Sequence, residues 1–224
     1  MSHFYAATKR IRKPEDVIPF LAKREDHWRK GYSAYELAYS WVEAEGFPNT
    51  VRSLLDSVPE FRNAEIVQAY FEKETDLKTK GRDSQTDLLV HARSPMTDFI
   101  IGVEGKVDEP FGELVSAWNT GIPTRVARLG SLCASLELDP GAVDDLRYQL
   151  LHRTCAAIYE AQAYGCHYAV MLVHSFSREK RWLDDFQNFC SALGLADNVE
   201  NHLSSPISRG SVSLRLGWVS DLPR

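Results

Sequence analysis

The residues with the clearest chemical potential are Asp87 and the tripeptide Glu104-Gly105-Lys106. An acid-x-Lys tripeptide is uninformative by itself, since 31 acids and nine lysines in 224 residues give about one by chance. Glu104 and Lys106, however, directly follow the apolar run 99–103. Burying a charge in such a segment is costly unless the charge has a partner. The sequence therefore predicts that these two charges are paired or functional.

Asp87 and Glu104 are expected to face each other across a β-hairpin. Residues 86–92 and 99–107 have the composition of strands, and the Ser-Pro dipeptide between them is a turn signal. Facing residues of an antiparallel pair have position numbers with a constant sum. The sum for Asp87 and Glu104 places the centre of the hairpin in this turn, so these two residues are expected to face each other. Strand alternation then places Lys106 on the same face as Glu104.

This arrangement would suit a divalent cation. Two opposed carboxylates repel each other across a sheet, and a cation between them removes that penalty. Together with a backbone carbonyl, such as that of Gly105, they are oxygen ligands of the kind that Mg²⁺ or Mn²⁺ takes. The cation would polarise a phosphodiester oxygen and acidify a coordinated water, and Lys106 would orient that water or stabilise the transition state. The alternative is an acid pair that Lys106 or a nearby arginine simply neutralises.

The elements that must position these residues follow from hydrophobic periodicity. Residues 33–45 carry an apolar stripe at helical spacing, with Gly46 as the expected stop, and 143–163 should form the longest helix. The other elements expected are a short helix over 49–55, strands over 65–72, 167–176 and 211–219, a helix over 182–193, and a helical and looped region over 112–140. The central order of helix, three strands, helix and strand predicts an α/β domain around a mixed sheet.

With this order and these residues, the sequence resembles the PD-(D/E)XK nuclease superfamily. That family has the restriction-endonuclease-like fold, an α-β-β-β-α-β core with a mixed sheet flanked by helices, which residues 33–176 would match. The resemblance implies metal-dependent hydrolysis of phosphodiester bonds in nucleic acid, with DNA favoured. It implies catalytic roles for Asp87, Glu104 and Lys106, and a metal site at the two acids and Gly105.

Residues on two helices are further candidates. The segment 31–37 resembles the first helix of archaeal Holliday-junction resolvases, which implies that Glu36 joins the metal site. Ser33 and Glu36 also form a capping-box pattern, and the two roles do not exclude each other. Gln149 and Arg153 on the long helix are expected to reach substrate phosphate, or else to be satisfied polar residues of a half-buried helix. Some branches of the family have tyrosine where this chain has Arg153.

Composition limits the remaining possibilities. A chain of 224 residues with 44% hydrophobic residues is expected to form one domain, 1–224, with helical additions before the core and a helix-strand addition after it. No apolar run is long enough to span a bilayer and no secretory signal is visible, so we expect a cytoplasmic protein without a membrane partner. Four scattered cysteines favour reduced, buried thiols over a zinc site.

Charge leaves two functions open. The net charge of −5 argues against a protein that coats nucleic acid, whereas residues 1–30 carry +4 and could touch phosphates or form a solvated face. The first possibility is a nuclease acting through the opposed acids. The second is a non-catalytic binding or immunity-type module that retains the nuclease-like fold, which the acidic bulk of the chain favours. A homodimer is compatible with either.

Overall fold

The strands of the described residues form one eight-stranded mixed sheet. The computed structural model describes residues 3–22, 28–196 and 199–224, so that four charged residues of the predicted basic edge, 23–26, lie outside it. The strands are β1 (Phe4–Ala6), β2 (Lys9–Arg10), β3 (Glu65–Thr75), β4 (Ser84–Arg93), β5 (Asp98–Lys106), β6 (Tyr168–Ser175), β7 (Ile207–Arg209) and β8 (Val212–Ser220). Their order across the sheet is β2-β1-β3-β4-β5-β6-β8-β7.

The direction of the strands changes in the middle of the sheet. β3, β4 and β5 follow one another as an antiparallel meander, whereas β5, β6 and β8 are parallel. Each parallel step requires a crossover, and helices supply it. The predicted hairpin over 86–92 and 99–107 is therefore present as β4 and β5, at the centre of the sheet.

Helices cover both faces. They are α1 (Ser33–Glu43), α2 (Asn49–Asp56), α3 (Val115–Trp118), α4 (Pro123–Leu136), α5 (Tyr148–Ala163) and α6 (Leu183–Ala192), with 3₁₀ turns at Pro14–Phe20, Pro59–Phe61 and Pro140–Ala142. α1 and α2 bury Trp41 and Leu55 against one face, while α4, α5 and α6 bury Leu132, Leu151 and Phe186 against the other. The expected α/β class, a mixed sheet flanked by helices, is confirmed. No helix of the described residues is long and apolar enough to cross a membrane.

The long helix begins later than expected. Residues 143–147 have helical spacing, since Val143 and Leu146 are both buried, but α5 starts only at Tyr148. The backbone of the α3 segment donates hydrogen bonds to the carbonyl oxygens of Asp144 and Leu146. Because these tertiary bonds engage carbonyl groups that a helix would use, the apolar spacing alone did not predict the boundary.

The ends of α1 also differ from the prediction. Tyr32, not Ser33, is the residue before the first helical one, and its side chain makes no capping bond. At the other end the helix stops at Glu43, and Glu45 rather than Gly46 takes the left-handed conformation, with φ of 51°. The three shortest strands, β1, β2 and β7, were not predicted because two or three residues carry too little pattern.

A buried hydrogen-bond chain joins the helical layer to the end of the sheet. Trp41 Nε1 donates to His174 Nδ1 at 3.0 Å, and His174 Nε2 lies 2.9 Å from Asp221 Oδ2. Because Nδ1 accepts the indole proton, the neutral His174 ring carries its own proton on Nε2. Thr50 donates to the same Asp221 oxygen at 2.9 Å. The four cysteines are buried and unpaired.

Candidate functional site

The β4–β5 hairpin brings the two predicted acids together. Its ladder ends at the pair Leu88–Val103, whose register extends to Asp87 opposite Glu104. Beyond that pair, Asp87 Oδ2 accepts a hydrogen bond from the Gly105 N–H at 2.9 Å. The carboxylate therefore satisfies a backbone donor at the point where the ladder between the strands ends.

Glu104 is almost completely buried and receives three side-chain donors. Lys106 Nζ and Gln149 Nε2 donate to its Oε1 at 2.6 and 2.7 Å, and Arg153 Nε donates to its Oε2 at 2.6 Å. Burial alone would raise the pKa of Glu104, but the charges of Arg153 and Lys106 and their hydrogen bonds lower that pKa to about 2. Glu104 is thus held as a carboxylate between two cations.

Asp87 is in a different electrostatic state. Burial and then the negative charge of Glu104 raise the pKa of Asp87 to about 7, although Arg153 and Lys106 act in the opposite direction. The nearest ion-pair contact is Arg153 Nη2 to Asp87 Oδ1 at 3.7 Å. The side chain keeps 24% of its surface exposed, against 2% for Glu104. Of the two acids, Asp87 is therefore the less completely buried.

A third carboxylate, Glu72, belongs to the same site and was missed by the sequence analysis. The pairs Phe71–Leu88 and Lys73–Thr86 place Glu72 opposite Asp87 on the neighbouring strand β3. Its φ of 54° is left-handed, and Gln85 Nε2 donates to its carboxylate at 2.8 Å. Burial and then the charge of Asp87 raise the pKa of Glu72 to about 8.

The signal for Glu72 was present in the sequence. The strand ending at Glu72 and the strand beginning at Thr86 are joined by a polar link, and the constant-sum argument applies to them as well. Applied there, it would have placed Glu72 close to the position opposite Asp87. Carboxylates therefore stand on three adjacent strands.

These residues line a cleft of about 600 Å³. The sheet supplies Glu72, Asp87, Glu104 and Lys106, and α5 supplies Gln149, His152 and Arg153. The start of α1 and the loop after β5 form the rim. Lys106 also lies over the Phe111 ring, 4.9 Å from its centroid. Burial, followed by the charge of Arg153, lowers the pKa of His152 well below its ordinary value, so the imidazole is neutral. The predicted Gln149 and Arg153 are therefore in the site, where both bind Glu104.

Glu36 lies elsewhere, so the structure does not place it at the site. Its Oε1 accepts from the Gly31 N–H at 2.8 Å and its Oε2 from the Arg224 N–H at 2.9 Å. It lines a separate pocket with Asp221 and Arg224. It does bond a backbone group just before α1, but the Ser33 N–H that the capping box assigned to it donates to Glu109 at 3.0 Å instead. The spacing of residues in the sequence did not fix the direction of the Glu36 side chain on the helix, and this direction places Glu36 away from the site.

The site contains two acids that could hold a cation, and two cations that already neutralise them. No group of three or more His, Cys, Asp or Glu side chains among the described residues is placed to hold a metal ion. Gly105, expected to offer its carbonyl oxygen, takes part through its N–H, and a Cβ atom there would lie 3.4 Å from Leu37 of α1. Gln149 Oε1 is buried without a hydrogen-bond partner among the described residues. Such an atom is an available oxygen ligand.

Comparison with known proteins adds a family but no activity. No curated protein and no solved structure gives a significant match to the chain. A family described as "Domain of unknown function (DUF6946)" matches residues 10–223, which is nearly the whole length. The chain therefore belongs to the DUF6946 family of domains of unknown function.

Proposed function

We propose that the protein is a metal-dependent nuclease that hydrolyses phosphodiester bonds, with DNA as its substrate. The observation that carries the proposal is the convergence of Asp87, Glu104 and Lys106 in one cleft. An acid pair with an adjacent lysine at a strand end supplies both ligands for a divalent cation and a fixed positive charge beside a phosphate.

The order of elements supports a restriction-endonuclease-like core. α1, the meander β3-β4-β5, α5 and β6 follow one another as α-β-β-β-α-β, with α2, α3 and α4 as insertions. Within this arrangement the acids lie on the second and third strands of the meander, as the resemblance requires. The additional strands extend the sheet on both sides and leave the cleft open.

The residues present fit a divalent cation at the two acids. The cleft places three carboxyl groups, Glu72, Asp87 and Glu104, beside the two cations Lys106 and Arg153. Because the pKa values of Asp87 and Glu72 are raised, both groups could release a proton when a cation binds, and the site would gain the negative charge that holds the cation. Asp87 and Glu104 would hold the cation, with Gln149 Oε1 and the Gly105 carbonyl as the neutral oxygens proposed beside them. When bound, the cation supplies Lewis-acid charge and an activated water.

The chain's own residues then have distinct tasks. Lys106 is 3% exposed and bonded to Glu104, so its ammonium is fixed in position beside the acid pair. Fixed charge of this kind stabilises the negative charge that develops on a phosphoryl group during hydrolysis. Arg153 opposes the mutual repulsion of Asp87 and Glu104 while no cation is bound, because its guanidinium contacts both acids.

A second candidate function has its own observation. Arg153 and Lys106 together already neutralise Glu104, through contacts of 2.6 Å each. A site that is complete in this way needs no metal, which favours a non-catalytic binding or immunity-type module with a nuclease-like fold. The net charge of −5 points in the same direction.

The decisive experiment is a cleavage assay with matched variants. Single-stranded, duplex and branched DNA, and RNA, are incubated with the protein and Mg²⁺ or Mn²⁺. We expect Asp87→Asn to abolish cleavage, and Lys106→Met to reduce its rate by about 10²–10³ because one transition-state charge is lost. Methionine keeps most of the volume of the buried lysine stem and Arg153 still pairs with Glu104, so we expect a folded variant, which circular dichroism checks before the assay.

Asp98→Asn is the matched control, since it makes the same change at the other end of the same hairpin, where Asp98 pairs with Arg93. Its cleavage rate should equal that of the wild type. Absence of cleavage by the wild type on every substrate would reject the nuclease in favour of the binding module. Equal rates for the Lys106→Met variant and the wild type would instead place the chemistry elsewhere in the chain and overturn the site proposed at Asp87, Glu104 and Lys106.

A further inference from the structure

A second pocket of about 610 Å³ adjoins the catalytic cleft. It lies between the turn at residues 80–83 and the beginning of α4. Trp118, Tyr148 and His152 line both this pocket and the cleft, so the two are separated only by these side chains. A polymer that occupied one could therefore continue into the other.

The charge of this pocket is opposite to that of the chain. Its described lining contains four cations, Lys80, Arg82, Arg125 and Arg128, and one acid, Asp83. None of the four forms a salt bridge among the described residues, although the chain as a whole carries −5. Unpaired cations concentrated in one pocket attract an anionic ligand.

Arg128 makes this argument stronger because it is buried, with only 8% of its surface exposed. Its guanidinium donates to the Tyr148 hydroxyl at 2.7 Å, to Thr79 Oγ1 at 2.9 Å and to the Arg82 carbonyl at 2.7 Å. All three acceptors are uncharged. A buried charge without a counter-ion is costly, and an anion in the pocket would remove that cost.

The loop that carries Lys80 and Arg82 is held in place by the same arginine. Gly81 between them has φ of 123°, and a Cβ atom there would lie 3.1 Å from Arg128 Nη1. Only glycine suits this backbone and this close approach. The two exposed cations are thus presented on a turn that is fixed in advance, which lowers the entropic cost of binding a ligand.

The wall between the pocket and the cleft is aromatic. Trp118 and Tyr148 stack with ring centroids 3.7 Å apart and planes 10° apart. The Arg125 guanidinium lies 5.5 Å from the Trp118 ring and donates to the Trp118 carbonyl at 2.6 Å. Arg125 is therefore positioned with its charge at this wall, beside the catalytic cleft.

From these observations we infer that the pocket binds a backbone phosphate of single-stranded nucleic acid, adjacent to the phosphodiester group held at Glu104 and Lys106. The inference rests on the proposed function and names the form of its substrate. Arginine and lysine at a fixed turn are the usual phosphate ligands. A pocket of this volume can enclose one nucleotide, whereas the stacked bases of a duplex would stay outside it.

The test measures binding without catalysis. A short, fluorescein-labelled single-stranded DNA is titrated with the protein in EDTA, at salt concentrations between about 50 and 200 mM. We expect the double variant Lys80→Ala/Arg82→Ala to bind on the order of tenfold more weakly. The slope of log K against log salt should be shallower by about 0.7, since neutralising one phosphate of a single strand contributes about 0.7.

Arg62→Ala is the matched control, because Arg62 is an exposed arginine before the start of β3, at the opposite end of that strand from Glu72. It should bind like the wild type. Equal binding by the double variant and Arg62→Ala would overturn the inference. So would a duplex of the same length that binds as tightly as the single strand and loses as much affinity in the double variant.

The binding test is independent of the nuclease proposal. If the wild type binds the single strand through Lys80 and Arg82 but cleaves nothing, the pocket is confirmed and the nuclease is rejected. If it cleaves DNA but the double variant binds normally, the nuclease is confirmed and the pocket is rejected.

Discussion

Glu104 accepts hydrogen bonds from Lys106, from the Gln149 amide and from Arg153. Of these three partners, Arg153 determines what the site can hold. Arg153 contacts both acids, at 2.6 Å to Glu104 and 3.7 Å to Asp87, which are the acids proposed for a metal ion. A guanidinium and a divalent cation would neutralise the same carboxylates. They must therefore compete, or Arg153 must move when a metal binds.

Replacing Arg153 separates these roles. In EDTA, Arg153→Leu should lower the free energy of unfolding by about 3–5 kcal/mol, because it leaves the buried Glu104 carboxylate with less compensation. Addition of Mn²⁺ should restore more stability to this variant than to the wild type, since no guanidinium competes for the acids. Thermal unfolding with and without Mn²⁺ measures both effects.

Arg209→Leu provides the comparison, because Arg209 is also buried but pairs with Glu137, away from the cleft. It should lose stability without gaining a response to Mn²⁺. If Arg153→Leu likewise shows no greater response than the wild type, the acid pair does not take the metal.

At this scale the sequence predicted the site through register and failed where side-chain direction decides. Asp87, Glu104 and Lys106 could be placed from two strands and a turn, because strand pairing converts position numbers into neighbours. Glu36 could not be placed, since a helix wheel does not say which neighbouring backbone groups will accept or donate. Glu72 was missed because the register argument was applied only to the β4–β5 pair and not to the pairing of β3 with β4.

The long helix α5 matters at the scale of elements because it holds Gln149 and Arg153 over the acids. Its distance from the sheet is set where Ala157 passes over Gly102 of β5: a Cβ atom at Gly102 would lie 3.2 Å from the Ala157 Cβ. The missing side chain allows the helix to pack this closely. A larger residue would push α5 away and lengthen the contacts to Glu104.

Gly102→Val tests this packing. We expect it to lower the free energy of unfolding by about 1–3 kcal/mol through overpacking. It should also reduce cleavage, because Arg153 and Gln149 would no longer reach Glu104. Gly130→Val is the control, since nothing lies within 4 Å of a Cβ atom at Gly130 in α4, and its stability should change little. Chemical denaturation of both variants measures the difference, and similar losses in both would contradict the packing role.

The elements were predictable where a pattern repeats over several residues and not where tertiary bonds set the limits. The hairpin and α1 each have eight or more residues of clear periodicity. The start of α5 depends on hydrogen bonds from the α3 segment to Asp144 and Leu146, which no local pattern shows. The left-handed conformation of Glu45 was also not predicted from the local pattern. Glycine, which adopts that conformation most easily, is the next residue, and the sequence indicated that the helix would end there.

At the scale of the whole molecule, the distribution of charge couples the site to the stability of the fold. The pKa values of Asp87 and Glu72 are raised to about 7 and about 8 in the folded protein. These two carboxyl groups therefore stay protonated in the folded state at pH values where the unfolded chain, which releases such protons near pH 4, has already lost them. The unfolded state then binds fewer protons than the folded state, so stability falls as pH rises. The neutral His152 and His174 act oppositely, but only up to their ordinary pKa of 6.5.

Above pH 6.5 the carboxyl groups of Asp87 and Glu72 should therefore determine how the stability of the fold changes with pH. We expect the free energy of unfolding of the metal-free protein to decrease as pH rises from 6.5 to about 8.5, by at most about 1.4 kcal/mol per pH unit for each group. Glu72→Gln should flatten the upper part of this decrease, because its amide does not titrate. Glu74→Gln, on an exposed residue of the same strand, should leave the decrease unchanged. Denaturant unfolding at a series of pH values in EDTA measures the free energy of unfolding. Stability that rises with pH in this range would show that the acids of the site are not held as the structure indicates. An unaltered slope in Glu72→Gln would show the same.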